Sequence, residues 1–197
     1  MNGSIVVVPA TEDRFADVSQ VLGPKNPDST VCWCLSHRLP AKENRALLGA
    51  ARGEYVRRLC QEPRSPGVLA YVDGAVAGWA AVAPRSATTY DRSRKIPRVD
   101  DLDAWVIWCV KVQAACRRRG VAVELIRGAA EYARTQGAAV VEGYPVDNQD
   151  LRVDSVLAYV GTQTMFERAG FVKVADTTAV SDGIARVVMR RSLLDGE

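Results

Sequence analysis

Residues able to do chemistry gather at three places along the 197-residue chain. Val110-Lys111-Val112 closes an apolar run, and Arg117-Arg118-Arg119-Gly120-Val121-Ala122 follows where a helical pattern begins. The first amides of a helix lack intrahelical partners and lie at the positive end of its dipole, so such a junction holds anions, phosphates above all. Gly120 and Ala122 leave the backbone open to approach, and the arginines add charge. Taken alone, the arginine triplet reads first as a solvated basic run at a helix start, because short motifs recur by chance. Other phosphate loops fit worse: no Gly-Lys-Ser/Thr follows, and Leu125 stands where a dinucleotide fingerprint needs its third glycine.

Glu142 is the second place, a carboxylate inside the apolar run Ala138 to Tyr144. Desolvation there favours uptake of a proton, as a general base requires; the other reading is an ion pair with an arginine of a neighbouring strand. Cys32, Cys34 and His37 are the third. Cys-x-Cys lacks the two to four intervening residues usual for zinc pairs, and His37 is the sole histidine, so no metal is expected; packing or the lining of a pocket is. Cys109 and Cys116 have no histidine nearby in sequence and read as core and loop residues.

The elements that must position these groups follow from pattern. Ile5 to Val8 is a strand, and Thr11 caps a helix in which Phe15, Val18 and Leu22 recur until Gly23-Pro24. After a loop over 25–40, a second helix from about Lys42 to Glu62 is expected to bury Leu48, Ala51, Tyr55, Val56, Leu59 and Cys60. Gly67 to Val72 and Ala75 to Ala83 form a hairpin around Asp73-Gly74. A loop over 84–103 leads to Trp105 to Val112, apolar throughout and hence a central strand. The helix Val121 to Thr135 carries the stripe Ala122, Leu125, Ile126, Ala129, Ala130 and Ala133. Ala138 to Tyr144 is the next strand, and a second long loop over 145–160 precedes a short helix with Met165, Phe166 and Ala169, stopped by Gly170. Phe171 to Asp176 and Ile184 to Arg190 are the last strands. Trp79, Trp105 and Trp108 belong to the core.

Arg117-x-x-Gly120-x-Ala122 matches a pyrophosphate loop of the form Arg/Gln-x-x-Gly-x-Gly/Ala. Together with the element order and the Ala169-Gly170-Phe171 step into the penultimate strand, it makes the chain resemble the GNAT superfamily of N-acetyltransferases. The resemblance implies one α/β (α+β) domain over 1–197, a mixed sheet of about seven strands flanked by about four helices, in the order β-α-α-β-β-β-α-β-α-β-β. It implies that acetyl-CoA binds as cosubstrate, with the segment from Val110 through Lys111 to Val112 serving the pantetheine arm and the stretch Arg117, Arg118, Arg119, Gly120, Val121 and Ala122 the pyrophosphate. The fourth and fifth strands would part to admit the thioester, and acetyl would pass directly to a primary amine of a small molecule, a protein lysine or an N-terminus. Glu142 is then the candidate base, acting directly or through water.

Two positions depart from the family pattern. Many members place a tyrosine five residues before the phenylalanine of the Gly-Phe step, to protonate the departing thiolate; here it is Phe166, and Tyr159 replaces the usual asparagine. A thiol with a pKa of about 8.5 leaves tolerably unprotonated, and Tyr144 or Tyr159 are the candidate substitutes. The missing tyrosine supports an alternative, a non-catalytic acyl-CoA sensor of the same fold. The acceptor pocket would be built by the loops 25–40, 84–103 and 145–160, which carry no motif that names the amine.

Composition sets the outer bounds. Apolar residues make up 48% and charged residues 25%, the balance of an ordinary folded domain. No run is long enough for a signal peptide core or a membrane span, so a cytoplasmic location is expected, and five cysteines read as reduced thiols. A formal charge of +3 is too small to suggest a nucleic-acid partner. Oligomeric state is left open, a homodimer included.

Overall fold

The computed structural model describes residues 4–24, 26, 33–149, 157–181 and 183–194. Seven strands form one mixed sheet: β1 (Ile5–Pro9), β2 (Gly67–Val72), β3 (Ala75–Pro84), β4 (Trp105–Val112), β5 (Val140–Gly143), β6 (Val172–Ser181) and β7 (Ile184–Ser192), in the spatial order β1-β2-β3-β4-β5-β7-β6. Five helices accompany them: α1 (Phe15–Leu22), α2 (Ala41–Ala46), α3 (Ala50–Gln61), α4 (Val121–Thr135) and α5 (Gln163–Arg168). This is the fold class expected. No helix among the described residues is long and apolar enough to cross a membrane.

The expected helix from Lys42 to Glu62 is in fact two. Leu47 is extended and Gly49 takes φ 49°, a left-handed value that glycine reaches without penalty, so the chain turns between α2 and α3. Arg52 secures the turn by donating from Nη1 to Asn44 O (2.7 Å) and Leu47 O (3.0 Å), which covers carbonyls that a helix end leaves free. Two stripe residues consequently leave the core: Leu48 is 55% exposed and Ala51 is also exposed, while Val56, Leu59 and Cys60 are buried as expected.

The Asp73-Gly74 hairpin forms as read, with φ 50° and 82°, both positive as a two-residue turn demands. The sheet divides the core in two. One side packs Val18, Leu22, Val56 and Leu59 of α1 and α3 against Trp79, Val106 and Trp108. The other packs the α4 stripe Leu125, Ile126, Ala129, Ala130 and Ala133 against β2, β3 and β4. Small residues let α4 lie close to the sheet, and at Gly128 a Cβ would fall 2.6 Å from Val7 Cβ.

The pairing is irregular on both edges of the central strand. β4 and β5 run parallel but pair only through Trp105↔Val141, Val106↔Glu142 and Ile107↔Gly143; from Trp108 to Val112, β4 has no β5 partner among the described residues. On its other edge β4 carries one extra residue against β3, because Ala81 faces Cys109 and Val82 faces Ile107, leaving Trp108 in a bulge. The two strands part where the bulge lies.

Gly128→Ala tests the close approach of α4. Helix propensity alone favours alanine by about 1 kcal/mol, but overlap with the stiff, branched Val7 is expected to reverse the sign and destabilise by about 1–3 kcal/mol. Urea denaturation reads the change, and adding Val7→Ala should restore part of it.

Candidate active site

The first group of sequence-predicted residues lies together at the freed end of β4. Val110 is buried, Lys111 exposed and Val112 half-buried; a turn over Ala114–Cys116 leads to Arg117, Arg118 and Arg119, all exposed. Arg118 has φ 59° and Gly120 φ 82°, so the backbone curls left-handed just before α4, whose N-cap is Gly120. Among the described residues the amides of Arg118, Arg119, Gly120, Val121 and Ala122 meet no acceptor. Gly120 has open space where a Cβ would project, and no side chain caps the helix. Arg119 reaches Asp73 Oδ2 at 3.7 Å, which ties this loop to the β2–β3 turn. A concave run of unpaired amides at a helix start, rimmed by arginines, is suited to a pyrophosphate.

Glu142 does not join this group. It pairs with Val106, four residues before Val110, or roughly 13 Å along the strand. It is 2% exposed and both its oxygens are engaged: Oε2 accepts from Tyr144 Oη (2.8 Å) and faces Arg85 Nη1 (3.4 Å), and Oε1 accepts from Arg190 Nη1 (3.2 Å). Arg190 also holds Asp100 at 2.6 Å. Of the two roles read for Glu142, these contacts are those of the ion pair.

Arg85, equally buried, organises the loop between β3 and β4. Its Nη2 donates to Tyr90 O (3.0 Å) and Ile96 O (2.8 Å), and its Nη1 donates to Tyr144 Oη (2.6 Å). Burial, reinforced by the Glu142 carboxylate, holds the Tyr144 hydroxyl far above the usual tyrosine range, so it remains a proton-bearing part of this network. Of the two tyrosines read as substitute acids, Tyr144 is sealed at 1% exposure and Tyr159 is 46% exposed. Phe166 is fully buried, its ring edge-on to Phe171 at 5.1 Å.

A cluster that the sequence reading missed lies beside Tyr144. Past the end of β5 the chain runs along β7, where Val146 bridges Arg186. Arg186, 8% exposed, donates from Nε to Tyr144 O (2.7 Å) and from Nη2 to Tyr90 Oη (3.2 Å). The Tyr90 ring lies edge-on to Tyr144 at 4.7 Å and stacks on His37 at 4.4 Å. Thr89 N donates to His37 O (2.8 Å), which joins the α1–α2 connection to the β3–β4 loop. Tyr90 belongs to the same core cluster as Tyr144 and as Cys109, next to the β4 bulge. The signal was Arg186 itself, a cation inside the apolar strand Ile184 to Met189, of the same kind that singled out Glu142.

Burial, with the Arg186 charge second, pushes His37 down to about 4. Burial likewise pushes Tyr90 up to about 12. Both are neutral at neutral pH. Of the third place named in the sequence, Cys32 lies outside the described residues; Cys34 is buried and its carbonyl accepts from Trp108 Nε1 at 3.3 Å. Among the described residues no group of three or more His, Cys, Asp or Glu side chains is placed to hold a metal. Cys109 is buried and Cys116 half-buried.

A family model described as "Acetyltransferase (GNAT) family" matches residues 33–152. Among solved structures, a GNAT-family acetyltransferase from Bacillus cereus superposes with a TM-score of 0.56 at 14% identity, covering 98% of this chain and 100% of that one. The aminoglycoside acetyltransferase AAC(6')-Ib with coenzyme A and kanamycin gives 0.55 at 15% identity, over 96% and 95%. The NatC complex bound to Gag peptide and CoA gives 0.51 at 11% identity, over 96% and 98%. These likenesses show a shared fold. No curated protein matches the sequence.

Glu142→Gln leaves the buried Arg85 without a counter-charge and Arg190 with Asp100 alone, and should destabilise by about 3 kcal/mol or more, with activity per folded molecule retained; a stably folded variant with turnover reduced about 10²-fold would return Glu142 to the role of base. Unfolded His37 takes up its proton below about 6.5 and folded His37 only near 4, so its contribution is whole above the first value and lost as pH falls toward the second. The loss is at most roughly 3 kcal/mol, and His37→Gln should remove it from the difference between urea titrations at pH 7 and about 4.

Proposed function

Since the chain belongs to the GNAT acetyltransferase family, we propose that it transfers acetyl from acetyl-CoA directly to a primary amine. The observation that carries this reading is the freed end of β4 running into five consecutive acceptorless amides, Arg118 to Ala122, at the start of α4. The amides from Arg118 to Ala122 would hold the pyrophosphate, the Arg117 amide being taken by Ala114 O, with Arg117, Arg118 and Arg119 adding charge, and the backbone of Val110 to Val112 would hold the pantetheine arm beside Lys111. The β4–β5 parting admits the thioester. Relatives of this fold accept CoA together with kanamycin or with a peptide, so both a small molecule and a protein amine fit the family.

In the transfer, the neutral amine nitrogen attacks the thioester carbonyl carbon. A C–N bond forms, the C–S bond breaks and CoA leaves as a thiolate. With both oxygens of Glu142 occupied, the amine proton goes to water, and the accessible Tyr159 would protonate the thiolate in place of the tyrosine that is lost where the buried Phe166 stands. Glu142 acts by holding Arg85 and, through it, the loop over 84–103.

The alternative, an acyl-CoA sensor without turnover, draws on Phe166, which is sealed in the core where many members have their tyrosine. Thiol release with a panel of amines decides between them: steady release above the hydrolysis blank supports transfer, and binding without release supports the sensor.

Acetyl-CoA should raise the melting temperature by mass action. Gly120→Val places a side chain over the amides and should weaken acetyl-CoA binding about tenfold or more. It also strains a left-handed backbone position by about 1–2 kcal/mol, so affinity is to be read by titration calorimetry on protein checked for folding by circular dichroism. An unchanged affinity would move the cofactor site elsewhere.

A further inference from the structure

Resting on the reading just given, we propose that the acceptor is a small amine that also carries a carboxylate, and that Arg186 is the residue that recognises it. The observation is an imbalance of charge. Three arginines, Arg85, Arg186 and Arg190, are buried or nearly so on the face of the sheet that bears Tyr144 and Glu142. Glu142 matches the first, and Glu142 and Asp100 match the third. Arg186 has no carboxylate within ion-pair distance among the described residues, although only 8% of it is exposed. A guanidinium carries five N–H donors, and Arg186 uses two of its nitrogens, Nε on Tyr144 O and Nη2 on Tyr90 Oη, both neutral acceptors. Nη1 makes no hydrogen bond with the described residues.

The groups around it are also neutral. His37 stays unprotonated, and Tyr90 and Tyr144 keep their protons. A buried cation is tolerated only when paired and hydrogen-bonded. Among the described residues the hydrogen bonds are partly present and the counter-charge is not, whereas the neighbouring arginines have both. The position fits recognition of a substrate. Arg186 bridges Val146 just past the end of β5, where β5 leaves β4, and its partner Tyr90 shares a core cluster with Cys109 beside the β4 bulge. An amine brought to the parting of the strands therefore finds one fixed positive charge with donors to spare. A planar carboxylate is the anion that a guanidinium fork fits best.

The experiment compares acids with their carboxamides in the wild-type protein. Acetyl transfer from acetyl-CoA is measured for the common α-amino acids, β-alanine and 4-aminobutyrate, each beside its carboxamide. The expected result is an acid preferred over its amide by about 10²-fold or more in kcat/KM, the usual scale for a buried polar group left unpaired by the wrong substrate. Arg186→Gln should collapse that ratio toward one, chiefly through KM, and Arg186→Lys should restore part of it; melting temperatures establish that both variants are folded. Equal use of acids and amides by the wild type overturns the proposal while leaving the transferase reading intact. A fall in kcat on acids and amides alike in Arg186→Gln also overturns it, because Arg186 would then serve the reaction and not the acceptor. Absence of acetyl-CoA binding and of transfer to every amine overturns the transferase reading itself.

Discussion

The buried carboxylate of Glu142 is the interaction on which the centre of the molecule depends. It sits in the middle of three strands, paired in register with Val106 of β4 and Arg190 of β7. One oxygen serves Arg190 and the other Tyr144 and Arg85. Arg85 in turn gathers the carbonyls of Tyr90 and Ile96, and Arg190 gathers Asp100. A loop without regular strand or α-helix is thus fixed from both ends by one internal charge, and Tyr90, which the loop carries, is brought against β7. Burying these charges is unfavourable unless each is paired, so the arrangement specifies one loop conformation over alternatives that would leave a guanidinium bare.

The two ends of the candidate site differ in how they were built. The cofactor end is made of backbone: a strand edge released by its neighbour, then amides exposed by a left-handed turn. The proposed acceptor end is made of side chains from three segments far apart in sequence, His37, Tyr90 and Arg186, with Tyr144 beside them. Backbone suits a ligand common to a family, since amides are present whatever the side chains are. Side chains drawn from separate segments suit a partner that differs from one relative to the next.

This difference also governs what the sequence could tell. The strand Trp105–Val112 and the helix Val121–Thr135 were legible to the residue because their apolar patterns are long, and the Asp73-Gly74 turn because only certain residues accept two positive φ values. The glycine that divides α2 from α3 was not, since an isolated glycine in a helical pattern is often tolerated and its consequence depends on Arg52 reaching back from the next helix. Glu142 stood out as a charge in an apolar strand, but its partners come from the loop after β3 and from β7. Pattern has no means of bringing Arg85, Arg190 and Glu142 together. Arg186 carries the same local signal, but its partner Tyr90 lies 96 residues away in sequence.

The bulge at Trp108 has a further effect on β4. In an unbroken strand alternate side chains share a face, yet Trp108 and Cys109 both belong to the core under α1 and α3, whereas Ile107 and Val110 belong to the core under α4. The extra residue shifts the phase of the strand midway. Upstream, Trp105 and Ile107 face the α4 core; downstream, the alternation starts again at Val110. One continuous strand thus serves the same two cores with two separate alternations, and a substitution on either side of Trp108 is read against its own half of the strand.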